Sequence, residues 1–379
     1  MRWSPPALTV LATLALTAPP AHAAVAFEEL PPPPHVAAAV VSALNEAGQA
    51  AGSGWTPPTS GPLPGRLEAV RWDGTTPAIL GTGHGSGINE RGDVVFSFVT
   101  KEGGAQVHYA RAWENGRVVD RTPPQRGTGR MTIRDISDAG VIPVGYNNVN
   151  DPEFYDNDRA GAWRQGAFAD LPLSPQGARS YHQAANHRGS TAGSLAPKDG
   201  AAAFAFRCSA TGCARLPVAG DGGSYSVAAI NESDSVAATW SVGSTSRAVV
   251  WTADRPAVLP GDVAGVADNA RAINEDGDVV GWHLDEGVRE AALWRDGALV
   301  DLGTSGESEA VAVNDRGEVV GWHTVDGQPR PFHWRAGVLI GLPTPDDLPA
   351  KPAALNNAGV VVGNTLYRDT SRAFRWTLP

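Results

Sequence analysis

The sequence predicts an all-β fold: a β-propeller of four-stranded blades, eight of them, with seven as the runner-up. Three observations predict it. A motif of the form apolar-Asn-x-x-Gly recurs along the chain, its Asn position at Asn45, Asn89, Ser137, Asn186, Asn231, Asn274, Asn314 and Asn356, 40 to 49 residues apart. A Trp follows at Trp72, Trp113, Trp163, Trp251, Trp294, Trp334 and Trp376, with Phe206 standing in the fourth copy. No segment after the first 23 residues sustains a 3.6-residue apolar period, so helix is minor. A repeat of this length, rich in short apolar runs, has the size of one propeller blade.

Each repeat reads as four strands. The first ends at the Asn and is apolar just before it (Leu44, Ile88, Ile136, Ile230, Ile273), with a small residue one place earlier in all copies but the third, which has Asp135. Small side chains suit the crowded innermost strand. Asn-x-x-Gly then forms a tight turn, with Asn starting it and Gly taking a left-handed position. The second strand is of the Val-Val-Gly type, and the third carries the Trp. Trp-x-x-Gly makes another tight turn into a Leu/Val-rich fourth strand. The eighth copy stops at Trp376-Thr-Leu-Pro379, leaving little room for a fourth strand. Ala26-Phe-Glu-Glu-Leu-Pro31 resembles the fourth-strand ends Asp170-Leu-Pro172 and Val258-Leu-Pro260, so an N-terminal strand is expected to close the last blade.

Residues 1–23 read as a secretory signal peptide: Arg2, an apolar stretch from Ala7 to Ala18, and Ala21-His22-Ala23 as a cleavage site. Residues 24–379 then form a single propeller domain, secreted to the periplasm or the extracellular space. The apolar run is too short to span a bilayer. The chain has 379 residues, a net charge of −10 and only 18% charged residues. An acidic balance with three Lys argues against nucleic acid as a partner and against a basic membrane-binding patch. Cys208 and Cys213 enclose four small turn residues, as expected for a disulfide across a hairpin in an oxidising compartment.

The stretches Arg372-Ala-Phe-Arg-Trp376, Pro331-Phe-His-Trp334 and Ala291-Ala-Leu-Trp294, with the Ile-Asn-x-x-Gly-x-Val-Val-Gly runs, resemble the HAF repeats of probable extracellular proteins. The resemblance covers nearly the whole chain after residue 23. It implies export and repetition and carries no catalytic residues. The third and fourth copies depart from it at Ser137 and Phe206, and the literal His-Ala-Phe triplet does not occur.

Chemical signatures are sparse. The sequence has no His-Glu-x-x-His, no G-x-S-x-G and no Gly-Lys-Ser/Thr. Asn274-Glu-Asp-Gly-Asp278 reads as a turn, because other copies lose its carboxylates. In a four-stranded meander the two tight turns share one face. The second-to-third loops and the links between blades share the other. Spacing from Asn to Trp is 20 in copies 4 to 8 but 27, 24 and 26 in copies 1 to 3, so insertions are expected on one side of that loop face. Candidate ligand residues there are Trp55 in blade 1 and Tyr146, Asp151, Glu153, Tyr155, Asp156 and Asp158 in blade 3. Aromatic rings could stack on sugar faces and carboxylates could accept hydroxyl hydrogen bonds; the bland alternative is a solvated acidic loop. No cofactor is expected, calcium on that loop being the one candidate. Trp282-His283 and Trp322-His323 end second strands in adjacent blades and would line a shared groove, or else are inherited repeat packing. Arg134 and Arg271, on innermost strands, would edge the channel or pair with acidic neighbours. The favoured reading is a scaffold that binds an extracellular glycan, peptide or protein. The alternative is a secreted hydrolase or lyase acting on a polysaccharide.

Overall fold

The computed structural model describes residues 25–57, 65–124, 131–147, 158–172, 179–197, 201–220, 222–260, 268–366 and 371–379. Their strands form eight separate four-stranded antiparallel sheets, the eight blades of a β-propeller. Blade 1 runs Ala38–Leu44, Ala50–Thr56, Arg66–Asp73 and Thr76–Thr82, and blades 2 to 5 follow the same plan between His84 and Val258. Blade 6 is Asn269–Ile273, Val279–Asp285, Val288–Arg295 and Ala298–Asp301. Blade 7 is Ser308–Val313, Val319–Val325, Gln328–Arg335 and Val338–Gly341. Blade 8 takes Ala350–Leu355, Val360–Thr365 and Ala373–Thr377 from the C-terminal end, and its outermost strand is Ala26–Leu30 from the N-terminal end. That strand pairs with the last one from Ala26↔Thr377 to Leu30↔Ala373, so the two ends of the chain are stitched together as the sequence predicts. Only one short 3-10 turn, Pro345–Asp347, is present among the described residues, and none of their helices is long and apolar enough to cross a membrane.

The core lies between blades rather than within them. Val280 and Leu293 of blade 6 pack on Phe332 and Trp334 of blade 7, and Val320 of blade 7 packs on Phe374 and Trp376 of blade 8. The repeated Trp is the largest side chain in these layers and is almost wholly buried at Trp72, Trp251, Trp294 and Trp376. Apolar contact between flat sheets is not directional, so something else must set the angle between blades. Two repeated hydrogen bonds do. The Asn side chain accepts from the backbone N–H four residues on, closing its own turn, as Asn274 does from Asp278 at 2.8 Å. The same Asn donates Nδ2 to the carbonyl of the equivalent Asn in the next blade. Asn45 reaches Asn89, Asn186 reaches Asn231, Asn231 reaches Asn274, Asn274 reaches Asn314, Asn314 reaches Asn356, and Asn356 returns to Asn45. In the opposite direction, the indole N–H of Trp72, Trp163, Trp251, Trp294 and Trp376 donates to a carbonyl at the end of the preceding blade's outermost strand.

The junction of blades 3 and 4 lacks both ties. Asn89 still reaches the carbonyl of Ser137, but Ser137 is too short to pass the bond on, and Phe206 has no indole N–H. Backbone bonds from Asp138 and Ala139 to the carbonyl of His187 and a bond from Arg164 to Gly189 stand in their place. The Cys208–Cys213 disulfide joins the third and fourth strands of blade 4, Phe204–Ser209 and Gly212–Arg215.

Every innermost strand except the short Met131–Ile133 of blade 3 carries a β-bulge shortly before its Asn, as at Ala270/Ala272 and Ala310/Ala312. In five bulged blades the residue of the second strand paired just before the bulge is glycine (Gly52, Gly193, Gly281, Gly321 and Gly363), while blades 2 and 5 place Phe96 and Ala238 there. A Cβ on Gly321 would fall 2.2 Å from the carbonyl oxygen of Glu309. One expectation needs correction. The longer Asn-to-Trp spacing in blade 2 is not a loop insertion, because its strands Val94–Glu102 and Ala105–Glu114 are simply longer and join through Gly103-Gly104.

Near the Asn turn of blade 7, Glu318 and His333 are both buried. Burial pushes the Glu318 carboxyl up, but hydrogen bonds from Asn314 and Arg316 more than offset this and hold it below its usual range. Burial lowers His333, with Glu318 opposing, so its neutral form is favoured in the fold.

Three outcomes follow from this architecture. Asn274→Ala is expected to cost about 1–3 kcal/mol, since it orphans a buried carbonyl and a buried N–H. Ser137→Asn is expected to raise the melting temperature by supplying the missing donor; a lower value would show that the blade 3–4 junction cannot accept the tie. Because folded His333 resists a proton that the unfolded chain accepts below pH 6.5, stability falls as pH drops through that value. His333→Leu should flatten that part of a melting-temperature profile, leaving the Glu318 contribution, which is lost only below its ordinary 4.5.

Candidate functional site

Innermost strands end at the Asn turns, so their first residues lie at the opposite mouth of the channel. The ends of the second strands lie there too, as the pairings Asn269↔Trp282 and Glu309↔Trp322 record. At this mouth, blades 6 to 8 bring together six side chains. Glu309, on the innermost strand of blade 7, is the centre. Its carboxylate accepts a hydrogen bond from Trp322 Nε1 at 3.2 Å and is ion-paired with Arg271, whose Nε lies at 3.0 Å, and with Arg289. Arg289 also lies over the rings of Trp282 and Trp322, at 4.8 and 5.6 Å from their centroids. Lys351, on the innermost strand of blade 8, places Nζ 3.4 Å from the centroid of the Trp322 ring.

The bulge explains how Arg271 gets there. It is the residue skipped between Ala270 and Ala272 in the pairing with the second strand, and a bulge re-aims the extra side chain. The Glu309 side chain is only 10% exposed, whereas that of Arg271 is 52% exposed. A carboxylate so enclosed needs its ion pairs, and here they also fix the positions of the cations. Burial lowers the Lys351 ammonium from its ordinary value; Glu309 and Glu307 work against this, while Arg289 and Arg271 reinforce it. Three cations therefore surround one carboxylate, with Glu307 nearby, in a chain of net charge −10.

Of the expected site residues, Trp282 and Trp322 are brought together, with Arg289 bridging them. His283 and His323 are not part of this cluster. Adjacent residues on a strand project to opposite faces, so each His leaves on the side away from its Trp. His283 is buried and lines a cavity of about 460 Å³ with Asp285, Glu290, Asp301 and Thr304. His323 sits edge-on to Phe332, and burial lowers its pKa. Trp55 is 43% exposed near the end of the second strand of blade 1. Tyr146 is a core residue: it is 2% exposed, edge-on to Phe168, and donates its hydroxyl to Asp170. Burial and that carboxylate push its pKa well above the usual value. Asp151, Glu153, Tyr155 and Asp156 lie outside the described residues, as does the side chain of Asp158, whose backbone pairs with Asn147. Asp278 is taken by Arg295 and Asn274, as the turn reading of its segment expects. Among the described residues no group of three or more His, Cys, Asp or Glu could hold a metal ion.

The chain is a β-propeller in comparison as well. It is similar to the β-propeller domain of the Trilobed protease from Pyrococcus furiosus, at 10% identity over 82% of this chain and 98% of that one, with a TM-score of 0.54. A prolyl endopeptidase structure matches at 10% identity over 88% of this chain and 55% of that one, TM-score 0.56. Porphyromonas gingivalis dipeptidyl peptidase 4 matches at 8% identity over 84% and 55%, TM-score 0.54. The chain thus spans about half the length of the latter two. Identities this low establish the fold and no activity. No protein-family model and no curated protein matches the sequence.

Sequence reasoning picked out Arg271, Trp282 and Trp322 but missed Arg289, Glu309 and Lys351. A signal existed. Counting five residues back from each Asn position gives Val40, His84, Thr132, Tyr181, Ser226 and Asn269 in the other copies, against Glu309 and Lys351 in blades 7 and 8. Charge on an innermost strand, at a register that is uncharged in its neighbours, marks the mouth.

The glycine opposite Glu309 is a test of how the site is held. Gly321→Ala is expected to displace the bulge and lower the melting temperature by several degrees. An unchanged melting temperature would mean that the backbone around Glu309 yields freely.

Proposed function

We propose that this chain is an exported binding propeller, a scaffold that holds an extracellular glycan, peptide or protein at the channel mouth bordered by blades 6 to 8. The observation that carries this reading is the meeting of aromatic surface and surplus positive charge around Glu309. Aromatic residues and Arg are enriched where surfaces bind partners. A cationic cluster in an acidic chain also attracts and orients an anionic partner over a distance of about 10 Å. Export is supported by the apolar leader followed by Ala21-His22-Ala23, by the Cys208–Cys213 disulfide and by the resemblance to HAF repeats. The peptidase activities named for proteins of similar fold are not carried over, since a propeller hosts many functions.

A thermal-shift screen of the purified protein against oligosaccharides and short peptides tests the reading. A ligand that binds only the folded state, at about a hundred times its Kd, adds about 2.7 kcal/mol of stability. The expected result is a raised melting temperature with one ligand class, lost in Trp282→Ala. A flat response across the panel, or a shift that Trp282→Ala leaves intact, sinks the site.

A further inference from the structure

We propose that the ligand presents a carboxylate to Lys351, Arg271 and Arg289, and that it is an acidic saccharide built from uronate units. This rests on the binding reading above and names its ligand class. The charge balance comes first. Glu309 is already satisfied by Arg271, Arg289 and the Trp322 indole. Lys351 has no ion-pair partner among the described residues; its ammonium rests on the Trp322 ring instead. A ring face stabilises a cation without neutralising it. Three cations against Glu309 and the nearby Glu307 leave positive charge that the cluster's own carboxylates do not cancel, and a further carboxylate, brought by a ligand, would complete it.

Position comes second. Arg271, Glu309 and Lys351 stand on three successive innermost strands, at the rim of the channel and not deep inside the blades. Arg271 is half-exposed and can offer a planar fork to a carboxylate while keeping Glu309 as its anchor. Glu309 thus serves as a positioning residue, holding two guanidinium groups in place before the ligand arrives.

Shape comes third. The partly exposed Trp282 ring, against which Arg289 rests, offers an aromatic wall at this mouth, and Trp55 stands exposed on blade 1, the next blade beyond Lys351. A sugar ring has an apolar face of C–H groups to lay against an indole and a carboxylate on its edge. This surface offers partners for both. An acidic peptide would use the charge but leaves the aromatic wall unexplained.

Titration calorimetry with a galacturonate trimer, a glucose trimer of equal length and an acidic tripeptide tests the proposal at about 50 mM and about 500 mM salt. The uronate trimer is expected to bind, weakening with salt, while the glucose trimer binds at least tenfold more weakly. Lys351→Met is expected to weaken uronate binding about tenfold with a melting temperature near that of the parent protein; Arg271→Gln is expected to weaken it similarly and, by taking an ion pair from enclosed Glu309, to lower the melting temperature as well. Equal binding of the two trimers, or a Lys351→Met variant that binds uronate as the parent does, overturns the carboxylate assignment and leaves the binding reading standing. Preference for the acidic tripeptide overturns the saccharide class. If the thermal-shift panel also finds no ligand, the binding reading itself falls.

Discussion

One side chain in each blade but the third holds this ring to its shape. The Asn at the first turn uses its oxygen to close its own hairpin and its nitrogen to reach the next blade, so local and long-range geometry are fixed by the same group. Because it is buried, neither bond competes with water, and losing one strands a polar partner inside the protein. The apolar layers between blades supply most of the burial, yet they would tolerate a range of angles. Seven such links, counting Asn89 to Ser137, leave a single gap between blades 3 and 4.

The cationic mouth depends on the same framework. Innermost strands carry a small residue two places before the Asn in all blades but the third, and the same seven strands are bulged there. The bulge comes with a glycine on the second strand in blades 6 and 7, and it turns Arg271 toward Glu309. Around the opposite mouth the residue after each Asn is acidic in six blades (Glu46, Glu90, Asp138, Glu232, Glu275 and Asp315), and these side chains accept backbone N–H groups from neighbouring turns. The two ends of the channel thus differ in charge: carboxylates are tied into turns at one end, and arginine and lysine gather on indoles at the other.

Much of the architecture was readable because repetition turns one blade into eight observations. The Asn-x-x-Gly spacing, the Trp positions and the Leu-Pro ending of Ala26-Phe-Glu-Glu-Leu-Pro31 were enough to place the blades and the closing strand. Side-chain partnership was harder to read. Tyr146 looked like a ligand residue because it borders an acidic loop, but alternation along its strand turns it into the core. Trp282 and His283 looked like a pair because they are adjacent, and adjacency on a strand puts them on opposite faces. Glu309 and Lys351 join the site through contacts between blades, which a one-dimensional pattern does not display.

The strand Ala26–Leu30 carries a further consequence, for the order in which the molecule is made. Glu28 bonds to Arg375, 347 residues away along the chain. Ala26–Leu30 therefore waits for a partner far along the chain, and blade 8 stays incomplete until Ala373–Thr377 is in place. Contacts of such long range are slow to form. Ring closure is thus expected to be a late step of folding, with the outer edge of blade 8 open until Ala26–Leu30 and Ala373–Thr377 have met.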